Sequence, residues 1–291
     1  MHVRRVTTPL VSIILPAFNH EAYVLQTLES LVEQDYPNKE ILIVNDGSTD
    51  STGNVISDWM DGLEDTSEIR FIERENRGLS ATLNELLSMA RGDFIAGASS
   101  DDYLLPGSVT ARVDYLRAHP DKRAVFGDYH VVDEQGRLVH SSGISGIHDI
   151  DKAELGSDPG LRHSILHRFS VAGPVLMFDR RIFEQVGIFD ESLHIEDWDM
   201  YLRMSARGLL GFIDTPVAAY RVHEANSIQS YVDETFRSRI AHIKYQVRVL
   251  QNNKSNYSGA DLEFVRKKIR KLRWKMARYS IAQFFEIHRR D

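Results

Sequence analysis

The sequence predicts an α/β fold built on a largely parallel sheet flanked by helices, with a helical extension at its C-terminal end. Three observations carry this expectation. Short β-rich runs alternate with helical patterns through the first half, as βαβ units require. Each of those runs is continuously apolar rather than alternating, the pattern of strands covered on both faces. Acidic clusters fall just after the runs, where open parallel sheets bind ligands.

Taken in order, the strand-like runs are Leu10–Leu15, Glu40–Asn45, Ile69–Glu73 and Asp93–Gly97. Helical spacing of Leu25, Leu28, Leu31 and Val32 predicts a helix over Ala22–Val32. Leu79, Leu83, Leu86, Leu87 and Ala90 predict another over Leu79–Ala90, with Gly92 as its stop. Val125–Val139 reads as a hairpin around an Asp-Glu-Gln-Gly turn, and Ser141–Arg162 as a long polar loop near an acceptor entrance. Residues 232–255 and 260–289 read as two long helices joined across Asn252–Gly259. The second carries a stripe of Leu262, Val265, Ile269, Leu272, Met276 and Tyr279 among many Lys and Arg. The expected division is therefore 1–231 for the α/β domain and 232–291 for a basic helical extension. No internal repeat is evident.

The chain has 291 residues, 42% hydrophobic and 26% charged, an ordinary globular balance that excludes collagen-like and wholly disordered classes. Its formal charge of −7 argues against a nucleic-acid partner. That average hides a basic segment: residues 232–291 hold 15 Lys+Arg against 6 Asp+Glu. The absence of cysteine excludes disulfides, thiolate metal sites and a cysteine nucleophile. Arg4 and Arg5 precede only a short apolar run, which reads as strand rather than signal, and no run approaches the roughly 20 apolar residues of a membrane span. The expectation is a cytoplasmic protein whose membrane contact, if any, is peripheral.

Asn45-Asp46-Gly47-Ser48 follows the second strand-like run and Ser99-Ser100-Asp101-Asp102 the fourth, so both should face one crevice. Asp-Gly also suits a plain turn, and the aspartate pair a helix cap before Pro106. Adjacent carboxylates beside a buried strand repel and lose solvation, so they call for a cation or hydrogen-bond donors. Hard oxygen ligands suit Mg²⁺ or Mn²⁺. Glu196-Asp197-Trp198-Asp199 precedes a helical segment, where acids also complement the helix dipole.

In ordered succession, Val11-Ser12-Ile13-Ile14-Leu15-Pro16-Ala17-Phe18-Asn19, Val44-Asn45-Asp46-Gly47-Ser48-Thr49-Asp50 and Asn76-Arg77-Gly78-Leu79-Ser80 resemble the family 2 inverting glycosyltransferases. The likeness runs from Val11 to about Ser227 and implies the GT-A nucleotide-diphospho-sugar transferase fold. Ser100-Asp101-Asp102 stands where that family has its DXD-type metal motif, with Ser99 replacing its first acid. Glu196-Asp197 stands at the base motif, and Tyr220-Arg221-Val222-His223 near the end of the core. The resemblance implies a Mn²⁺ or Mg²⁺ ion held directly by Asp102 with Asp101 assisting, or with Asp101 on the ribose or donor sugar. It places Asp46 against the base or ribose, Pro16, Ala17 and Asn19 along the nucleotide pocket, and Arg77 and Gly78 lining it. His223 approaches the metal or diphosphate, Arg221 counters phosphate charge, Asp197 is the general base and Glu196 positions the acceptor. Trp198 stacks on a sugar or fills the core.

A nucleotide-diphosphate sugar, most commonly a UDP-sugar, is the implied donor, and a hydroxyl of a saccharide or lipid-linked saccharide the acceptor, in surface-polysaccharide assembly. No QxxRW-type motif follows Glu196-Asp197, which implies single-sugar transfer. The first strand is followed by no GxGxxG turn, against an oxidoreductase, and there is no P-loop. A sugar nucleotidyltransferase is a weaker reading, and a catalytically silent sugar-nucleotide or glycan-binding module remains a distinct class. His163 and His167 lack an accompanying HExxH glutamate and read as ordinary helix residues. The 260–289 helix admits packing on the body, a homodimer seam, or contact with anionic lipid through Trp274, Phe284 and Phe285.

Overall fold

The run VSIILPA forms β1 (Val11–Ala17), which lies between two other strands, and its apolar side chains are almost wholly removed from water. Burial on both faces is what a run without polar alternation requires. In this computed structural model residues 8–168, 173–193, 195–224, 226 and 235–287 are described, with side chains to 283. After β1 come α1 (Val24–Val32), β2 (Lys39–Asp46), α2 (Thr52–Asp61), β3 (Ile69–Arg74), α3 (Leu79–Met89) and β4 (Phe94–Gly97). These four strands pair in parallel in the order β3-β2-β1-β4. Gly92 has a reason other than ending a helix. A Cβ there would lie 2.6 Å from the Ser12 nitrogen, so only glycine lets the chain pass against β1.

The chain continues through β5 (Tyr103–Leu104), α4 (Ser108–Ala118), β6 (Ala124–Val132) and β7 (Leu138–His140), the last two forming the expected hairpin. Ser141–Arg162 is not an open loop. It holds α5 (Gly143–Gly146), a 3₁₀ turn at Lys152–Gly156 and the start of α6 (Asp158–His167), and it buries Ile144, Ile150, Leu155 and Leu161. Ser157 accepts from the Gly160 nitrogen with Pro159 in the first turn, a helix-start pattern.

Beyond them lie β8 (Leu176–Asp179), α7 (Phe183–Val186), α8 (Glu196–Ala206) and β9 (Leu210–Arg221). β8 is inserted antiparallel between β4 and β6; β9 pairs parallel with β6 and antiparallel with β5. The longest ladders are parallel, so the sheet is mostly parallel, as expected.

The C-terminal helices α9 (Phe236–Asn253) and α10 (Gly259–Ile287) dock on α6 and α8. Arg162 Nε pairs with Asp261 Oδ2 at 2.9 Å, His167 stacks on Phe264, and Tyr257 donates to the Leu202 carbonyl at 3.2 Å. Val247, Leu250, Val265 and Ile269 join the same hydrophobic core as β1 and β2. The expected boundary at 231/232 lies outside the described residues.

Candidate active site

The ends of β1 and β2 are knitted by short loop contacts. Asn19 adopts a left-handed φ of 52°, its nitrogen donates to Ser48 Oγ at 3.0 Å, and its Oδ1 accepts from the Thr49 nitrogen at 2.7 Å. Asparagine tolerates that backbone region better than most residues. Pro16 and Ala17 lie at the end of β1 beside this loop, and Ala17 is buried.

Asp46, at the end of β2, is buried and already engaged. Its Oδ1 accepts from the Arg77 nitrogen at 2.8 Å and from Arg74 Nη1, and its Oδ2 accepts from the Gly78 nitrogen at 3.0 Å. An ionised carboxylate offers about four acceptor positions, so these three donors leave Oδ2 a single position for a ligand. Its main task is to fold the Arg74–Gly78 turn, where Gly78 has φ 87° and Arg77 is exposed. Arg74 is a partner that sequence reasoning missed.

At the end of β4 the two adjacent aspartates diverge. Asp102 turns inward: it is buried, its Oδ1 accepts from the Arg221 nitrogen at 2.8 Å, and its carbonyl accepts from Thr27 Oγ1. Burial, then the Asp101 charge, push its carboxyl well above the ordinary value. Asp101 faces the crevice instead. Burial alone raises its carboxyl, but the hydrogen bond from His223 and the charge of His20 outweigh it and hold Asp101 below its ordinary value. His223 Nε2 lies 3.2 Å from Asp101 Oδ2, and His20 Nε2 3.7 Å from the same oxygen. One ligand atom from each of His20, Asp101 and His223 lies within 4.8 Å of the others, spacing that fits one cation. Asp101 and His223 thus stand together with His20, while the expected direct ligand, Asp102, gives one carboxylate oxygen to the backbone of β9.

Arg221 is held by several partners. It is buried; Nε donates to the Asp101 carbonyl at 3.0 Å and Nη1 to the carbonyls of Asp133 and Glu134, while Nη2 donates to Gln26 Oε1. Its guanidinium lies over Tyr23, 5.0 Å from the ring centroid. So engaged, it clamps the aspartate turn.

Glu196 and Asp197 open α8, where the helix dipole favours negative charge. Asp197 Oδ1 accepts from the Trp198 nitrogen at 2.6 Å. Burial pushes the Asp197 carboxyl up to about 6. Burial and then the Asp197 charge raise Glu196 as well. Trp198 is 4% exposed and donates to the Ile165 carbonyl at 3.0 Å, which leaves it in the core and not on a sugar. Asp199 pairs with Arg203 at 2.8 Å and accepts from Asn253 Nδ2, so α9 buttresses the helix that carries the acids.

His20 was not singled out as a site residue by the sequence. Its only local signal is adjacency to Asn19; its ring is placed by Ser100, 80 residues away. His163 and His167 stack on each other in α6 and stay outside the crevice, as read.

Compared with known proteins, the model of glycosyl transferase family 2 matches residues 12–187. The chain is 30% identical over 260 residues to the putative glycosyltransferase EpsH of Bacillus subtilis, covering 84% of this chain and 70% of that protein. It is 27% identical over 229 residues to an uncharacterized glycosyltransferase of Rickettsia typhi, covering 78% and 68%. Of some other relatives it spans 34% of the length. Among solved structures it resembles the mannosyltransferase PcManGT of Pyrobaculum calidifontis in complex with GDP-Man and Mn²⁺, with TM-score 0.65, 18% identity, and coverage of 95% of this chain and 74% of that one. It also resembles S. aureus TarS 1-349 in complex with UDP-GlcNAc, with TM-score 0.62, 18% identity, and coverage of 90% and 71%.

Proposed function

This chain belongs to glycosyl transferase family 2 and has the GT-A fold, and we propose that it moves one sugar from a nucleotide-diphosphate sugar to a saccharide or lipid-linked hydroxyl, with inversion. The observation that carries this reading is the presence of two unlike acidic centres at element ends. One is Asp101 beside His223, and the other is Asp197 at the start of α8. A Mn²⁺ or Mg²⁺ ion fits the first centre, where Asp101 and His223 hold it; when bound it neutralises charge on the departing diphosphate. The loop of Pro16, Ala17 and Asn19 and the turn of Arg77 and Gly78 line the nucleotide, with Asp46 shaping that turn.

Asp197 takes the proton of the acceptor hydroxyl as it attacks the anomeric carbon. A carboxyl raised to about 6 remains mostly ionised at neutral pH while being a stronger base than an ordinary aspartate. Glu196, raised as well, keeps a proton more readily and donates a hydrogen bond that orients the acceptor. A single base with no carboxylate nucleophile gives inversion. A UDP-sugar donor is the family's commonest case, and the structural neighbours' UDP-GlcNAc and GDP-Man support a nucleoside-diphosphate sugar. We place the reaction in surface-polysaccharide assembly, one sugar per encounter.

The test is binding and turnover across a panel of UDP-, GDP- and dTDP-sugars with Mn²⁺, Mg²⁺ or EDTA. Asp197→Asn is expected to keep donor binding and lose turnover by roughly 10²- to 10⁴-fold. Binding without turnover in the parent for every acceptor class tried would instead favour a silent binding module.

We further place the protein at the cytoplasmic face of an anionic membrane. Among the described residues no helix is long and apolar enough to cross a bilayer. The inner stripe of α10 is spent on the body and on α9, which argues against a homodimer seam there. Trp274 and Ile281 point outward at 62% and 59% exposure beside Arg270, Lys271 and Arg278. Phe284 and Phe285 lie outside the described side chains. With about 1 kcal/mol per basic residue near an anionic surface, replacing Arg270, Lys271 and Arg278 by Ala should weaken vesicle binding by roughly 100-fold. Co-sedimentation with anionic vesicles measures this, and unchanged binding excludes the contact.

A further inference from the structure

We propose that His20 is a third metal ligand. With Asp101 and His223 it forms a two-imidazole, one-carboxylate site that selects Mn²⁺ over Mg²⁺. The proposal rests on the donor-transfer reading given above and specifies its cation site. His20 lies in the loop after β1, and its backbone nitrogen donates to Thr52 Oγ1 at 2.8 Å, which fixes the loop on α2. Its Nδ1 lies 2.7 Å from Ser100 Oγ. With the proton on Nδ1 donated to Ser100, Nε2 is left with its lone pair facing Asp101 Oδ2 at 3.7 Å. Metal-binding imidazoles are held in this way, one nitrogen anchored by a neighbour and the other free for the ion.

The opposite wall is held by ring packing and by its backbone. His223 packs on Tyr23, with ring centroids 4.7 Å apart, and its backbone nitrogen donates to Asn226 Oδ1. The His20 and His223 rings meet edge-on, 5.7 Å between centroids and 89° between planes. They therefore approach the shared carboxylate from different directions instead of stacking. Ligand atoms about 2.1 Å from one ion lie at most about 4.2 Å apart, so a cluster spanning 4.8 Å closes onto a cation with small side-chain movements.

Ligand chemistry then decides selectivity. Mg²⁺ demands oxygen ligands and releases water reluctantly, whereas imidazole suits later divalent metals and affinity rises from Mn²⁺ along the first row. Two nitrogen donors and one oxygen leave remaining positions for diphosphate oxygens and water. Because His20 and Asn19 are consecutive, the same loop borders the proposed nucleotide pocket, so donor and cation should strengthen each other's binding.

The test uses the full chain, Mn²⁺ alone and Mn²⁺ with UDP or GDP, read by pulsed EPR and by competition with Mg²⁺. The parent should show coupling of Mn²⁺ to two imidazole nitrogens. His20→Asn should show one, with Mn²⁺ affinity lower by roughly tenfold or more. His20→Asp, which exchanges nitrogen for oxygen, should keep cation binding and shift the Mn²⁺/Mg²⁺ preference toward Mg²⁺, a change that a purely structural histidine would not cause. Thermal melting checks that both variants fold. Two-nitrogen coupling and unchanged affinity in His20→Asn would overturn the assignment of His20 while leaving donor transfer intact. A parent that takes up no Mn²⁺ with either nucleotide and binds none of the sugar nucleotides would overturn the underlying reading itself.

Discussion

Two pairs of neighbouring carboxyls stand at the end of β4 and the start of α8, and their surroundings treat them oppositely. At the end of β4 the pair is split: His20 and His223 hold Asp101 down, while burial drives Asp102 up. At the start of α8 both members rise, because the helix end buries them and the Asp197 charge adds to the effect on Glu196. Pairs whose environments differ in this way perform different chemistry. In the proposed reaction the split pair would supply a fixed negative charge to a cation, and the raised pair would take the proton of the acceptor hydroxyl.

The largest expected effect tests the split within the first pair. Asp101→Asn should weaken Mn²⁺-dependent nucleotide binding by roughly 100-fold, the upper end of what perturbing a metal site's supporting groups costs. Asp102→Asn should change it by no more than about threefold, since asparagine mimics a protonated aspartate and keeps the acceptor that the Arg221 nitrogen uses. Calorimetric titration of both variants with Mn²⁺ and UDP decides. Equal losses would show that the two aspartates share the cation, as the motif alone suggests.

The second effect separates the pairs by pH. A general base acts only when deprotonated, and Asp197 lies at about 6. Turnover at saturating Mn²⁺ and donor should therefore hold above that value and fall about tenfold per pH unit below it. An ordinary aspartate would hold activity about two units lower. A profile flat to pH 4.5 would remove Asp197 from the proton transfer.

How much of this was legible depends on how local each cause is. β1, β2 and β4 were readable because their runs are apolar throughout and buried on both faces. Ser141–Arg162 reads as a loop in the sequence because Ile144, Ile150, Leu155 and Leu161 fit neither the helical nor the strand period; their burial comes from packing against distant elements. In the candidate site, motif order pointed to Asp46, Asp101, Asp102, Glu196, Asp197 and His223. The division of labour between Asp101 and Asp102 was not readable, since it is set by Arg221, 119 residues from Asp102, and by a histidine on another strand end. The clamp role of Arg221 was hidden for the same reason: four of its acceptors come from three separate segments.

The smallest effect is on stability, and it differs in sign between the pairs. Glu196 is raised in the folded state, so between its unfolded and folded values the native protein binds more protons than the unfolded chain, and stability falls as pH rises. Glu196→Gln removes that penalty. It should stabilise by about 1 to 3 kcal/mol at pH 8 and by progressively less toward pH 5, a shift of a few degrees in melting temperature. Asp101 is lowered instead, so its charge stabilises the metal-free fold above the ordinary carboxylate range, and that contribution is lost as pH falls through the folded value. Asp101→Asn should therefore lower the melting temperature at pH 8 in EDTA. Melting curves of both variants at pH 5 and pH 8 provide the comparison, and a destabilised Glu196→Gln would mean that its carboxylate is held by partners strong enough to outweigh burial. A stabilised variant with slowed turnover would mark Glu196 as a group whose cost to the fold is retained for its action on the acceptor.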